Sequence, residues 1–288
     1  MNKHKNSTLQ GEFKSVIAER ALELVSVDLF GPLPAGQHNW QIIVVCMDVF
    51  TKYTRLYPST GSTTEHCLMQ VQKFVDEYRP MGKVETILSD NGRQFIAGGW
   101  VDHWGKQGIK TRLTSYYHPQ ANPVETRMKV IGDCLRTLCP TEHRKWSFHL
   151  KTIERRLNET AHQTTGVAPA TLFHGIKFGV EGHWIRLTPE EWQLELKKAK
   201  ETTKKQLERR KAANQPKVIT EFQEGDQVLV KNFKKSNQEA GTTKKMNPIY
   251  KPATIVARHG NSYEIEKPSG KTDTHHIINL HHLARPRR

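Results

Sequence analysis

The sequence predicts an α/β domain, then a helical linker, then a small all-β module. Three observations carry this. Short β-branched segments alternate with helical patterns up to about residue 178. A charged stretch from 188 to 215 has helical composition but no continuous apolar face. After Pro216 the chain breaks into short strand-like runs separated by turns. The boundaries that follow are a lead-in at 1–13, an α/β core at 14–178, a helical linker at 179–215 and a β module at 216–288.

The first residues are polar and contain no apolar segment of the kind a secretory signal needs. ELVSVDLF is short and β-branched and stops at Gly31-Pro32. QIIVVCMD and TKYTRLYP follow at hairpin distance, which predicts an antiparallel meander. Thr63 to Tyr78 reads as a helix with Leu68, Val71 and Val75 on one face. VETILSD is a fourth strand, closed by the turn signal Asn91-Gly92. Residues 95–107 have helical character weakened by Gly98-Gly99.

The clearest helix spans 122–139. Asn122 suits the N-cap and Pro123 the first helical position. Val124, Met128, Ile131, Leu135 and Leu138 form its apolar stripe, and Pro140 ends it. A further helix carries Trp146, Leu150, Ile153, Leu157 and Ala161 and closes near Gly166. The stretch from 188 to 215 bears Trp192, Leu196 and Leu207. FQEGDQVLVKNF, PATIVARH, SYEIEKPSGK and THHIINL then supply the strands of a module small enough for a barrel to be the economical way to bury it.

The net charge of +15, from 44 Lys and Arg against 29 Asp and Glu, calls for an anionic partner, with nucleic acid the leading class. The longest apolar run, IIVVCM, is far too short to cross a bilayer, so no membrane partner is expected. The four cysteines form no CxxC pair and read as free thiols. His275, His276, His281 and His282 are two adjacent pairs in strand-like sequence, whose rings point to opposite faces. They are not read as a zinc site.

Three acids stand where regular structure would hold them. Asp28 lies inside the first strand, Asp90 ends the fourth, and Glu125 sits in the first turn of the clearest helix. If the fourth strand lies beside the first, Asp28 and Asp90 converge, and a helix start docked there adds Glu125. Carboxylates with open positions suit a hard divalent cation. Each acid also has an ordinary structural explanation: a buried acid bonded to backbone for Asp28, an Asx turn for Asp90, a capping box for Glu125. Composition and spacing do not lift them above it.

Five segments in order resemble the catalytic core of LTR-retrotransposon and retroviral integrases, most closely the gypsy type. They are VSVDLFGPLP, VVCMDVFTKYTRLYP, ILSDNGRQF, YHPQANPVETR and the series Trp146, Leu150, Ile153, Leu157-Asn158, His162, Thr165-Gly166, Pro169, Leu172, His174-Gly175. GDQVLVKNF, Pro252 to Ile255 and HHIINLHHL are similar to the small DNA-binding barrel that follows the core in these enzymes.

The resemblance implies a ribonuclease H-like mixed sheet flanked by helices, and Asp28, Asp90 and Glu125 as catalytic residues and ligands of Mg²⁺ or Mn²⁺. It implies DNA as partner and substrate, no small-molecule substrate, a homo-oligomer on DNA, and a nuclear location with a cytoplasmic phase. The reactions expected are 3′-end processing and strand transfer. Asp90 and Glu125 have 34 residues between them, one fewer than the usual retroviral spacing. Asp48 matches a recurring acid outside the triad and is expected to be structural. Lys129, one turn beyond Glu125, and the loop residues His118 and Gln120 are expected to contact DNA.

The β module holds 13 Lys and Arg against 7 Asp and Glu. Its Lys231, Lys234, Lys235, Lys244 and Lys245 are expected phosphate contacts, with a solvated charged loop as the plainer alternative. Two departures stand out. The family's zinc-binding His-His-Cys-Cys module would precede residue 1, so the chain reads as truncated or its start as misplaced. Met128 also stands where the family usually has a polar residue. Both keep open an alternative: a domesticated or truncated integrase-derived DNA-binding protein without catalysis.

Overall fold

The computed structural model describes residues 17–114, 124–179, 181–213, 221–231, 250–260 and 262–282. These divide into two compact units, one ending at residue 209 and the other beginning at 210.

In the first unit the meander forms as its short, closely spaced β-branched segments predict. Strands β1 (Leu24–Phe30), β2 (Ile42–Asp48) and β3 (Thr54–Ser59) pair antiparallel, Asp28 opposite Val45 and Val45 opposite Leu56. Helix α1 (Thr64–Tyr78) starts at Thr63, whose side chain accepts from the His66 amide. Strand β4 (Thr86–Ser89) pairs parallel to β1, and Asp90 lies one residue past its end.

The predicted helix at 95–107 is split into α2 (Arg93–Ile96) and α3 (Gly98–Lys106), because Ala97 between them is extended. Strand β5 (Lys110–Leu113) then pairs parallel with β4 and completes a mixed sheet of order β3-β2-β1-β4-β5. Nothing in the sequence signals this strand. It lies on the sheet edge, largely exposed, and so needs no apolar alternation.

The sheet is covered on both sides. Val25, Val27, Val44, Cys46 and Ile87 pack with Val71 and Phe74 of α1 and with Trp100 and Trp104 of α3. On the opposite face Ile43, Val45, Met47 and Leu56 pack under helices α4 (Glu125–Leu138) and α5 (Leu150–Glu159), through Val124, Ile131, Leu135, Leu150, Ile153 and Leu157.

Two expectations about these helices change. Leu138 is 37% exposed rather than part of the stripe: α4 stops there, and Cys139, its amide bonded to the Leu135 carbonyl, turns inward instead. The next helical segment opens with a 3-10 stretch at His143–His149 that carries Trp146, and it ends at Glu159, not near Gly166. Thr160 is extended there, so Ala161 falls outside the helix and is exposed. Beyond it the 162–167 turn is closed by the Gly166 amide on the His162 carbonyl. The last turn of α5 is clamped to β3: the Asn158 amide side chain accepts from Thr54 N at 2.8 Å and donates to Thr54 O at 2.7 Å.

Helix α6 (Pro169–His174) ends on Gly175 at φ +64, a conformation L side chains rarely adopt. The short hairpin β6 (Ile176–Phe178) and β7 (Trp184–Arg186) leads to helix α7 (Pro189–Ala213). The linker helix is not free along its length. Trp192 packs over Gly175 and donates Nε1–H to the Leu172 carbonyl at 3.1 Å, and Ala199 is buried with Val167 and Leu172. Docking here uses residues 192, 196 and 199, a stripe too short to appear as a continuous face.

The second unit is an antiparallel sheet of β8 (Gln227–Lys231), β9 (Tyr250–His259), β10 (Ser262–Glu266), β11 (Thr272–His276) and β12 (Leu280–His282), in the order β11-β10-β9-β8-β12. One apolar core serves all but β11 of these strands: Val228, Val230, Ala253, Ile255, Tyr263, Ile265 and Leu280, with Phe222 and Ile277.

Candidate active site

Asp28 owes its position to strand alternation. Val25 and Val27 face α1, so Ser26, Asp28 and Phe30 face the other way. Asp28 lies directly opposite Val45, and directly opposed residues share a face; Val45 packs under α4. Asp28 is therefore on the α4 side of the sheet. It is half-buried, and its Oδ1 accepts from Leu29 N at 2.8 Å.

Asp90 comes near it through the parallel pairing. Ser26 is registered with Leu88, two residues short of Asp28 and of Asp90. Adjacent strands stand ~4.8 Å apart, so the backbone at Asp90, one residue past β4, runs beside β1 near Asp28. Asp90 is exposed and also forms the Asx turn its sequence context predicts, with Oδ1 accepting from Gly92 N at 3.0 Å. Asn91 continues this turn by donating to the Thr114 carbonyl, which ties the strand end to β5. Burial, helped by the nearby Asp90 charge, pushes the Cys67 thiol up to about 12, so that thiol is protonated and inert.

Glu125 is the first residue of α4. Val124, fully buried against Ile43, Val45 and Met47, pins the helix start to the face that bears Asp28. The Glu125 side chain, the proposed cap Asn122 with Pro123, and the loop residues His118 and Gln120 lie outside what is described. Among the described residues no group of three or more His, Cys, Asp or Glu side chains is disposed to hold a metal ion. What is described of the triad is two acids, one on β1 and one just past the adjacent β4, and the start of the helix carrying the third.

Lys129 is exposed one turn beyond Glu125, whereas Met128 is half-buried and packs into the core under α4. In the second unit Lys231 is exposed at the end of β8, opposite Tyr250, while Lys234, Lys235, Lys244 and Lys245 lie outside the described residues. Asp48 is wholly buried and structural. Its Oδ2 accepts from Leu22 N at 2.8 Å, and its Oδ1 from Thr51 N at 2.7 Å and from the Thr51 hydroxyl. Burial raises its carboxyl above the ordinary range despite these bonds.

One buried charge escaped the sequence reading. Arg127 is 7% exposed. Its spacing of three from Val124 already placed it at the margin of the buried stripe, and that was the available signal. A cavity of about 610 Å³ in the same unit is lined by Tyr53, Phe173, His174, Trp184, Arg186 and Trp192 among others, and neither Asp28 nor Asp90 borders it.

The integrase core domain family matches residues 18–119. The Tf2-3 and Tf2-4 transposon polyproteins of Schizosaccharomyces pombe are each 26% identical over 302 aligned positions. The match takes in 97% of this chain but only 22% of each polyprotein, so the chain spans about a fifth of these relatives' length. Among solved structures, a chain from the simian T-cell lymphotropic virus intasome in complex with the PP2A regulatory subunit B56 gamma superposes with a TM-score of 0.62. That superposition covers 99% of this chain and 86% of the other at 11% identity, which is a likeness of fold. Residues 18–119 thus match an integrase core domain, within a chain whose fold is like that of the solved intasome chain.

Proposed function

We propose that the chain catalyses the two polynucleotidyl transfers of a retroelement integrase, with Asp28, Asp90 and Glu125 as its catalytic acids. The observation that supports this is the parallel pairing of β1 with β4, whose register ends at Ser26 and Leu88 just short of Asp28 and Asp90, with α4 packed on the face that bears Asp28. Two adjacent carboxylates, one exposed and one half-buried, suit a hard divalent cation that keeps open positions for water and phosphate oxygens. Mg²⁺ or Mn²⁺, held by Asp28 and Asp90 with Glu125 completing the set, supplies when bound charge stabilisation at the attacking and leaving oxygens.

The chain's own contribution is positioning. In the first step a water oxygen forms a bond to phosphorus near the element's 3′ end, the P–O3′ bond breaks, and a 3′-hydroxyl is left. In the second that hydroxyl attacks a target phosphodiester and displaces a target 3′-oxygen. Each step exchanges one P–O bond for another, so no covalent protein intermediate is required. Lys129 stands exposed where it can meet a phosphate, and the basic second unit, with Lys231, supports sequence-tolerant binding of DNA. Assembly as a homo-oligomer on DNA and action in the nucleus belong to the same reading.

The test is nicking and joining of short duplex ends with Mg²⁺ or Mn²⁺ by the full chain and by Asp28→Asn and Asp90→Asn. Both variants are expected to bind DNA as the wild type does and to lose at least about 100-fold in rate. DNA binding without metal-dependent nicking, unchanged by Asp90→Asn, would overturn the enzymatic reading and leave the DNA-binding one.

A further inference from the structure

Arg127 is two residues beyond Glu125 in α4 and turned inward. Its Nη2 donates to the Lys52 carbonyl oxygen at 3.0 Å, and its Nε is buried without a partner. No carboxylate among the described residues pairs with it. A buried guanidinium without a carboxylate costs stability, and an apolar side chain of similar length would cost less there.

The carbonyl it reaches is held rigidly. Lys52 lies in the β2–β3 turn, at φ +67. Lys52 N donates to Asp48 O and Asp48 N to Tyr53 O, both at 2.9 Å, while the Asp48 carboxylate holds Thr51 N and Leu22 N. Lys52 O also accepts from Thr54 Oγ1 at 3.0 Å, so it keeps a donor whether or not Arg127 is there.

We propose that Arg127 is a positioning residue, which by bonding the first turn of α4 to the Lys52 carbonyl sets where Glu125 stands relative to Asp28 and Asp90. Val124 presses the helix start onto the sheet, but apolar packing is non-directional. The Arg127 bond adds the direction. With side chains reaching about 5–6 Å from a helix axis, a rotation of about 20° would displace the Glu125 carboxylate by about 2 Å. A misplacement of about 1 Å can cost about 100-fold in rate. This inference rests on the reading of Glu125 as the third catalytic acid.

The test compares wild type, Arg127→Met and Arg127→Lys in the full chain, using Mn²⁺-dependent nicking of a duplex oligonucleotide and thermal unfolding. Arg127→Met is expected to melt no lower than wild type, to lose about 10- to 100-fold in kcat, and to need more Mn²⁺ for half-saturation. Its KM for DNA should stay within about 2-fold, and Arg127→Lys should recover part of the rate. Wild-type kcat and Mn²⁺ dependence in Arg127→Met would overturn the proposal, as would a rate loss that only tracks a lower melting temperature. If wild type itself shows no nicking, the enzymatic reading fails separately. Amide exchange at Arg127 and Met128, expected to speed up about 10-fold in Arg127→Met, then decides the anchoring, and unchanged exchange would refute it.

Discussion

Replacing Asp48 by alanine should weaken the first unit more than any other single change in the β2–β3 turn. The substitution leaves two buried backbone donors, Leu22 N and Thr51 N, and the Thr51 hydroxyl without their carboxylate acceptor. Each orphaned backbone donor costs about 1–3 kcal/mol. Relief of the desolvation that raises the Asp48 carboxyl offsets part of this, which leaves a net loss of about 2–4 kcal/mol. For a unit of this size each kcal/mol lowers the melting temperature by about 2–4 °C, so the expected fall is about 4–16 °C.

All six tryptophans lie before residue 210, so tryptophan fluorescence follows this unit alone. Asp48→Asn keeps one acceptor and should cost about half as much. It should also remove a pH dependence. Because burial raises the Asp48 carboxyl above 3.8, the native state holds that proton more tightly than the unfolded chain. The group's contribution is therefore greatest below 3.8 and declines as pH rises through the raised native value. The stability gap between wild type and Asp48→Asn should narrow over that interval and then stay flat. A melting temperature for Asp48→Ala within about 1 °C of wild type would refute the claim that this carboxylate holds the turn.

The α4 stripe can be tested by contrast: Leu135→Ala should cost about 2–5 kcal/mol in urea unfolding, while Leu138→Ala at its exposed site should stay within about 0.5 kcal/mol. Trp192→Ala should cost about 2–3 kcal/mol and make α7 markedly more sensitive to limited proteolysis, because it removes the packing on Gly175 and the bond to Leu172. Equal protease sensitivity in the two proteins would mean that α7 is held by other contacts.

The β-branched runs ELVSVDLF and QIIVVCMD, the spacing of Val71 and Val75, and the stripe Val124, Ile131 and Leu135 are each local signals. The elements they predict are the ones that form. Local signals also put Asp28 inside a strand and Glu125 at a helix start. They could not bring Asp90 near Asp28, because that depends on the parallel pairing of strands 62 positions apart. They could not reveal β5, whose edge position relieves it of any apolar pattern, nor the docking of α7 through a three-residue stripe.

Leu138 shows the same limit from the other side: its spacing fits the stripe, yet the helix ends before the sheet can cover it. Arg127 is the sharpest case. Its residue type argues for solvent, and only the sheet beneath α4 and the Lys52 carbonyl make it a buried anchor. Local signals along the chain thus determined which elements form and which residues they carry. Long-range pairing and packing decided which charges meet, because register and burial are set by partners distant in sequence.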